Sequence, residues 1–170
     1  MPETTTEKIH DPIHRSSYSF RREGENIWVD TWLEDGGRLP EHFHPSLEEH
    51  WEAVDGTLRV KLAGTWRDLV PEDGPVVVAR NVRHEVRNES GRTVLGRAKV
   101  MPAGRLQEFL TETAHAAQEG LYNSRNLPTS WRGAVWVADL AQRFRDETVV
   151  TSPPPAVQRL VTPLVARFAR

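Results

Sequence analysis

Between residues 18 and 102 the chain runs as short apolar–polar alternations interrupted by turn residues, and this pattern constrains the fold more than any other feature. Asn26 to Leu33 sets Trp28, Asp30 and Trp32 against Ile27, Val29, Thr31 and Leu33, a period of two. Asp35-Gly36-Gly37 breaks it. Asp55-Gly56 is a hairpin signal, followed by Leu58, Val60 and Leu62 in alternation. Ala63-Gly64 turns into Thr65–Val70, Pro71-Glu72-Asp73-Gly74 into the run Val76-Val77-Val78, and Asn88–Gly91 into Thr93–Val100. Many short strands with no helix between them predict an all-β antiparallel barrel or sandwich.

The flanks read differently. Residues 1–17 are polar and aperiodic, which predicts a flexible N-terminal tail. Residues 103–170 predict a C-terminal helical region. Leu106, Phe109, Leu110 and Thr113 share one helical face, and a second helical segment spans roughly 130–146. Thr151–Pro155 is a proline-rich spacer. Val157, Leu160, Val161, Leu164, Val165 and Phe168 then form an apolar stripe, with Pro163 set to kink or split its helix. The stripe is expected to pack on the barrel or across a dimer. A membrane-surface helix flanked by Arg159, Arg167 and Arg170 is the competing reading.

Composition removes several function classes. The chain has no cysteine, so disulfides, thiolate zinc sites, iron–sulfur clusters and a catalytic thiol are excluded. A formal charge of −2 argues against nucleic acid or an anionic membrane surface as the main partner. No run approaches the roughly 18–20 apolar residues of a spanning helix. The polar N-terminus lacks the apolar core of a secretory signal, so a cytoplasmic protein is expected.

The histidines carry the chemistry. His42 and His44 are two apart, so on a strand both point to one side while Phe43 points away. Glu49 follows a Pro45-Ser46-Leu47 bend and can return a carboxylate toward the same interior; Glu48 is the alternative carboxylate. His84 lies near the turn after the Val76–Val78 run. Three imidazoles and a carboxylate converging inside a barrel suit Fe(II), Mn(II), Ni(II) or Zn(II).

These residues resemble the cupins. Gly36, His42, His44, Glu49 and Gly56 fit the first cupin motif without a gap. His84 and Asn88 fit the second, although Ala79 and Asn81 stand where that motif has Pro and Gly. Asn81 can adopt the left-handed conformation that the glycine would supply. The resemblance covers residues 20–102. It implies an antiparallel jelly-roll barrel over 18–102, a homodimer, and one divalent metal held by His42, His44, Glu49 and His84.

Trp51 shares a face with Glu49 and reads either as pocket wall beside the metal or as core. Trp28 and Trp32 share a face that, if inward, walls a pocket for a flat or apolar ligand; if outward, it packs against the C-terminal helices or a second subunit. Arg97 is a candidate for binding a substrate carboxylate, and Tyr18 and Arg38 are second-rank neighbours. The leading functional expectation is an Fe(II)- or Mn(II)-dependent, dioxygenase-like oxidoreductase acting on a small molecule. The alternatives are an isomerase, lyase or cyclase using the ion as Lewis acid, with Glu49 moving a proton, and a non-catalytic ligand-binding cupin.

Overall fold

The computed structural model describes residues 4–169. Its strands are β1 (Thr4–Asp11), β2 (Ser16–Glu23), β3 (Asn26–Leu33), β4 (Arg38–Phe43), β5 (Glu48–Asp55), β6 (Leu58–Leu62), β7 (Thr65–Leu69), β8 (Val76–Val78), β9 (His84–Arg87), β10 (Val94–Met101) and β11 (Val149–Val150). Its helices are α1 (Leu106–Gln118), α2 (Trp131–Arg143) and α3 (Pro155–Val165). A six-stranded sheet runs β1-β2-β3-β10-β5-β8, and a five-stranded sheet runs β11-β4-β9-β6-β7. Every pairing is antiparallel.

The alternation places the core. Ile27, Val29, Thr31 and Leu33 of β3, with Val94, Ala98 and Val100 of β10, are buried. Leu58, Val60, Leu69 and Val86 of the other sheet join all of these except the polar Thr31 in one apolar cluster. Burying each such aliphatic side chain contributes about 1.5–3 kcal/mol. Glycine is required where the strands meet tightly. A Cβ on Gly96 would stand 2.7 Å from Leu58 Cδ1 and 3.2 Å from the Trp51 ring, so the bare backbone of β10 seats Trp51. At Gly56 the backbone is left-handed (φ +87°) and a Cβ would meet Val94 Cγ1 at 2.7 Å.

Three expectations change. Residues 4–11 and 16–17 are not tail: β1 and β2 form a hairpin that extends the larger sheet, while residues 1–3 lie outside the described residues. An edge strand is held by backbone hydrogen bonds and needs no apolar period, which hid it in a polar segment. His14, within that segment, is buried. The Asp11 carboxylate accepts from the His14 ring at 2.8 Å, the Tyr122 hydroxyl at 3.1 Å and the backbone N–H groups of Ile13 and His14 at 2.8 and 3.0 Å. This network ties the hairpin to the segment after α1.

The region after the barrel is not wholly helical. β11 returns to pair with β4, Val149 opposite Phe43 and Val150 opposite His42. Nor does the α3 stripe dock as expected. α3 meets α2 through its polar edge, where Gln142 Nε2 donates to Thr162 Oγ1 at 2.6 Å, and no residue of α3 is buried. Pro163 lies inside α3 without splitting it: the helix runs on to Val165, and a 3-10 turn over Ala166–Ala169 follows.

Candidate metal centre

β4 projects His42 and the chain just beyond it projects His44. β5 carries Glu49, and β9 begins at His84. His42 and His84 are paired across the strands, so register as well as alternation brings them together. One ligand atom from each of His42, His44, Glu49 and His84 lies within 4.8 Å of all the others. The imidazole centroids are separated by 4.1 Å (His42–His84), 4.9 Å (His42–His44) and 5.3 Å (His44–His84). His44, Glu49 and His84 are buried, and His42 is partly exposed.

The hydrogen bonds around the cluster fix which nitrogen faces inward. His42 Nδ1 donates to the Pro40 carbonyl at 2.7 Å, His44 Nδ1 to the Glu147 carbonyl at 2.7 Å, and His84 Nδ1 to the Val82 carbonyl at 3.0 Å. With each Nδ1–H committed to a carbonyl, each Nε2 presents a lone pair. The Nε2 atoms of His44 and His84 are buried and have no hydrogen-bond partner. They lie 3.3 and 3.1 Å from the two Glu49 oxygens, within ion-pair range but out of hydrogen-bond alignment. A buried carboxylate facing these nitrogens calls for a positive charge among them, which a proton on His44 supplies in part, and three imidazole nitrogens with one carboxylate are a donor set that fits a divalent ion.

The electrostatics agree. Burial, with the neighbouring His84 and His44 rings, holds the His42 pKa well below the usual imidazole range, which keeps it neutral. Burial also works against charge on His44 and Glu49, but their mutual attraction outweighs it. The His44 pKa is raised and that of Glu49 is held well below the carboxylate range. The pocket therefore favours a positive charge beside an ionised Glu49.

The supports of the cluster were only partly foreseen. Trp51 is both core and neighbour of the site: it is buried and its Nε1–H donates to Glu49 Oε2 at 2.7 Å. Thr148 Oγ1 lies 3.2 Å from His44 Nδ1. Neither Thr148 nor the Glu147 carbonyl has a spacing signal, because both reach the site through β11. Asn88 joins the two motif segments. Its backbone exchanges hydrogen bonds with Gly36 and Gly37 at 2.9 Å each, and its side-chain amide donates to the Leu33 carbonyl at 2.8 Å. Asn81 takes the left-handed conformation (φ 65°), as the substitution for glycine requires.

Other candidates lie elsewhere. Glu48 faces outward and accepts from His50 at 2.8 Å, which leaves Glu49 as the carboxylate of the cluster. Trp28, Trp32 and Arg97 are not on a pocket wall. They stand on the outer face of the larger sheet, opposite the buried positions of β3 and β10. The Trp32 ring lies under Lys8 Nζ at 3.6 Å, and Trp28 is flanked by Lys99 and Arg21. Arg97 is bound by Asp30 at 2.6 and 3.2 Å. Alternation separates two faces without saying which is inner; here the branched aliphatics take the interior and the indoles cover the outside beneath cations. The Tyr18 hydroxyl accepts from Ser16 and Arg38 donates to the Ser124 carbonyl, so neither joins the cluster.

No family model matches the chain. No curated protein matches it either. Solved structures do. An RmlC-like cupin from Shewanella frigidimarina aligns over 61% of this chain and 89% of its own, with TM-score 0.53 and 19% identity. KdgF from Halomonas sp. aligns over 59% and 90%, with TM-score 0.51 and 16% identity. A cupin_2 domain of an XRE family transcriptional regulator from Enterobacter cloacae aligns over 45% and 80%, with TM-score 0.40 and 28% identity. The two antiparallel sheets and the likenesses to the Shewanella and Halomonas structures agree: the chain has a cupin fold, a jelly-roll barrel with a helical appendage.

Proposed function

We propose that the chain is a metal-dependent cupin enzyme acting on a small molecule, with dioxygenase-type oxidation as its chemistry. The observation that carries the metal reading is the set of three imidazoles whose Nδ1 atoms are each spent on a backbone carbonyl, which leaves every Nε2 free to coordinate, with those of His44 and His84 at 3.3 and 3.1 Å from the Glu49 oxygens. Three neutral imidazoles and one carboxylate leave a divalent ion one net positive charge, which suits a substrate bearing an anionic oxygen such as an enolate or carboxylate. Such an ion supplies Lewis acidity and, as iron or manganese, one-electron chemistry toward dioxygen.

The protein's own groups do the rest. His42 is the one partly exposed residue of the four, and in this reading the substrate approaches past its ring. Burial of His44, Glu49 and His84 keeps bulk water from the other sides. Trp51 holds one Glu49 oxygen by its indole N–H, fixing the carboxylate plane. The Pro40, Glu147 and Val82 carbonyls hold the rings in one orientation.

Anaerobic loading with Fe(II), Mn(II) or Zn(II), followed by oxygen-uptake assays on small enolic and aromatic acids, tests the reading. Uptake with iron or manganese and none with zinc is the expected result. Turnover that proceeds without oxygen would replace it with Lewis-acid isomerase, lyase or cyclase chemistry. Tight ligand binding with no turnover under any metal would replace it with a binding module.

A further inference from the structure

The α3 helix sits the wrong way round for a helix that completes a core. Its polar edge faces the protein: Gln158 Nε2 donates to the Val150 and Pro153 carbonyls at 2.7 and 2.5 Å, and Thr162 accepts from Gln142. Its apolar stripe faces out, except for the half-buried Val165. Leu160 is 74% exposed, Leu164 58%, Val161 49% and Val157 47%. Phe168, 65% exposed, continues the stripe and meets the 62% exposed Trp131 edge to face at 5.5 Å. Scattered exposed aliphatics need no explanation, but a contiguous patch with an aromatic pair marks an interaction surface.

Charge decides what the surface fits. From Val149 to the end of the sequence there is no Asp or Glu, while Arg159, Arg167 and Arg170 are present. The segment is thus cationic on a chain whose formal charge is −2. A second copy docking stripe to stripe would bring arginines toward arginines with no carboxylate in the segment to receive them. An anionic bilayer surface satisfies both features, burying the stripe at the acyl boundary while the arginines reach the headgroups.

We propose that α3, with Phe168 and Trp131, docks the protein on anionic membrane surfaces in the plane of the interface. The net charge of the chain does not oppose this, because electrostatic attraction acts locally and is screened beyond roughly 8–10 Å at physiological salt.

Flotation of the full chain with vesicles of phosphatidylcholine alone, or mixed with phosphatidylglycerol, tests the proposal. Binding to the mixed vesicles, weakened by salt and at least about tenfold weaker on phosphatidylcholine alone, is expected. The variant Leu160→Glu/Leu164→Glu changes only exposed positions and is expected to abolish flotation while leaving the circular dichroism spectrum intact. Arg159→Gln/Arg167→Gln is expected to weaken binding about ten- to thirtyfold. Equal binding to both vesicle types would overturn the anionic requirement. Absence of flotation would overturn the proposal, and if the chain also self-associated in a way that Leu160→Glu/Leu164→Glu abolished, a second copy would be the occupant.

Discussion

His44 Nδ1 donates at 2.7 Å to the carbonyl of Glu147, a residue 103 positions later in the chain. The bond reaches the barrel from the segment between α2 and β11, and the pairing of Val150 with His42 brings the same segment to a second cluster residue. The C-terminal region is therefore part of the scaffold of the His42–His44–Glu49–His84 cluster.

Thr148→Val keeps the side-chain shape but removes the hydroxyl 3.2 Å from His44 Nδ1. Divalent-metal affinity should fall about tenfold, the lower end of what lost outer contacts cost. Competition titration with a chromogenic chelator measures it. An unchanged affinity would show that the Glu147 carbonyl alone orients the ring.

Trp51→Phe removes the donor to a buried carboxylate while nearly filling the same volume. The loss should destabilise the metal-free protein by about 1.5–3 kcal/mol, the range for hydrogen bonds to charged groups. Chemical denaturation checks it. A change within about 0.5 kcal/mol would show that the indole N–H does not hold the Glu49 carboxylate.

These two supports show where sequence reading stopped. The spacing from Gly36 to Gly56, with His84 and Asn88, is local and readable, and the four cluster residues meet as that spacing implies. Asn81 was legible for a physical reason, since a left-handed backbone accepts asparagine after glycine. The faces of Trp28 and Trp32 were not, because a period of two is symmetric under exchange of inside and outside. β1 and β11 escaped because polar edge strands and two-residue strands carry no apolar pattern. Thr148 and Glu147 reach His44 only through tertiary pairing.

Trp28→Ala and Trp32→Ala provide a control on the placement of the indoles. Both side chains cover the outer sheet face beneath Lys and Arg side chains. Each variant should retain its full metal content by elemental analysis and its turnover of any identified substrate. Loss of metal in either would place that ring near the cluster and contradict the observed register.

Acid sensitivity should map to Asp11. Burial works against its charge, yet the hydrogen bond and charge of His14 outweigh burial, so its pKa is lowered below the usual carboxylate value. A carboxylate with a lowered folded-state pKa contributes stability above its unfolded pKa, near 4, that is lost as pH falls through the folded value. Asp11→Asn should cost about 1–3 kcal/mol at neutral pH and should melt with a shallower decline below about pH 4 than the parent. Parallel melting curves for the two proteins over that range would remove Asp11 from the acid response.

The central claim is that His42, His44, Glu49 and His84 hold one divalent ion. Elemental analysis of protein purified without chelator or oxygen, beside a His42→Ala/His84→Ala variant of matched fold by circular dichroism, tests it most directly. The account predicts about one transition-metal ion per chain in the parent and essentially none in the variant. A parent that neither contains nor takes up a metal, or a variant with the same content as the parent, would contradict it.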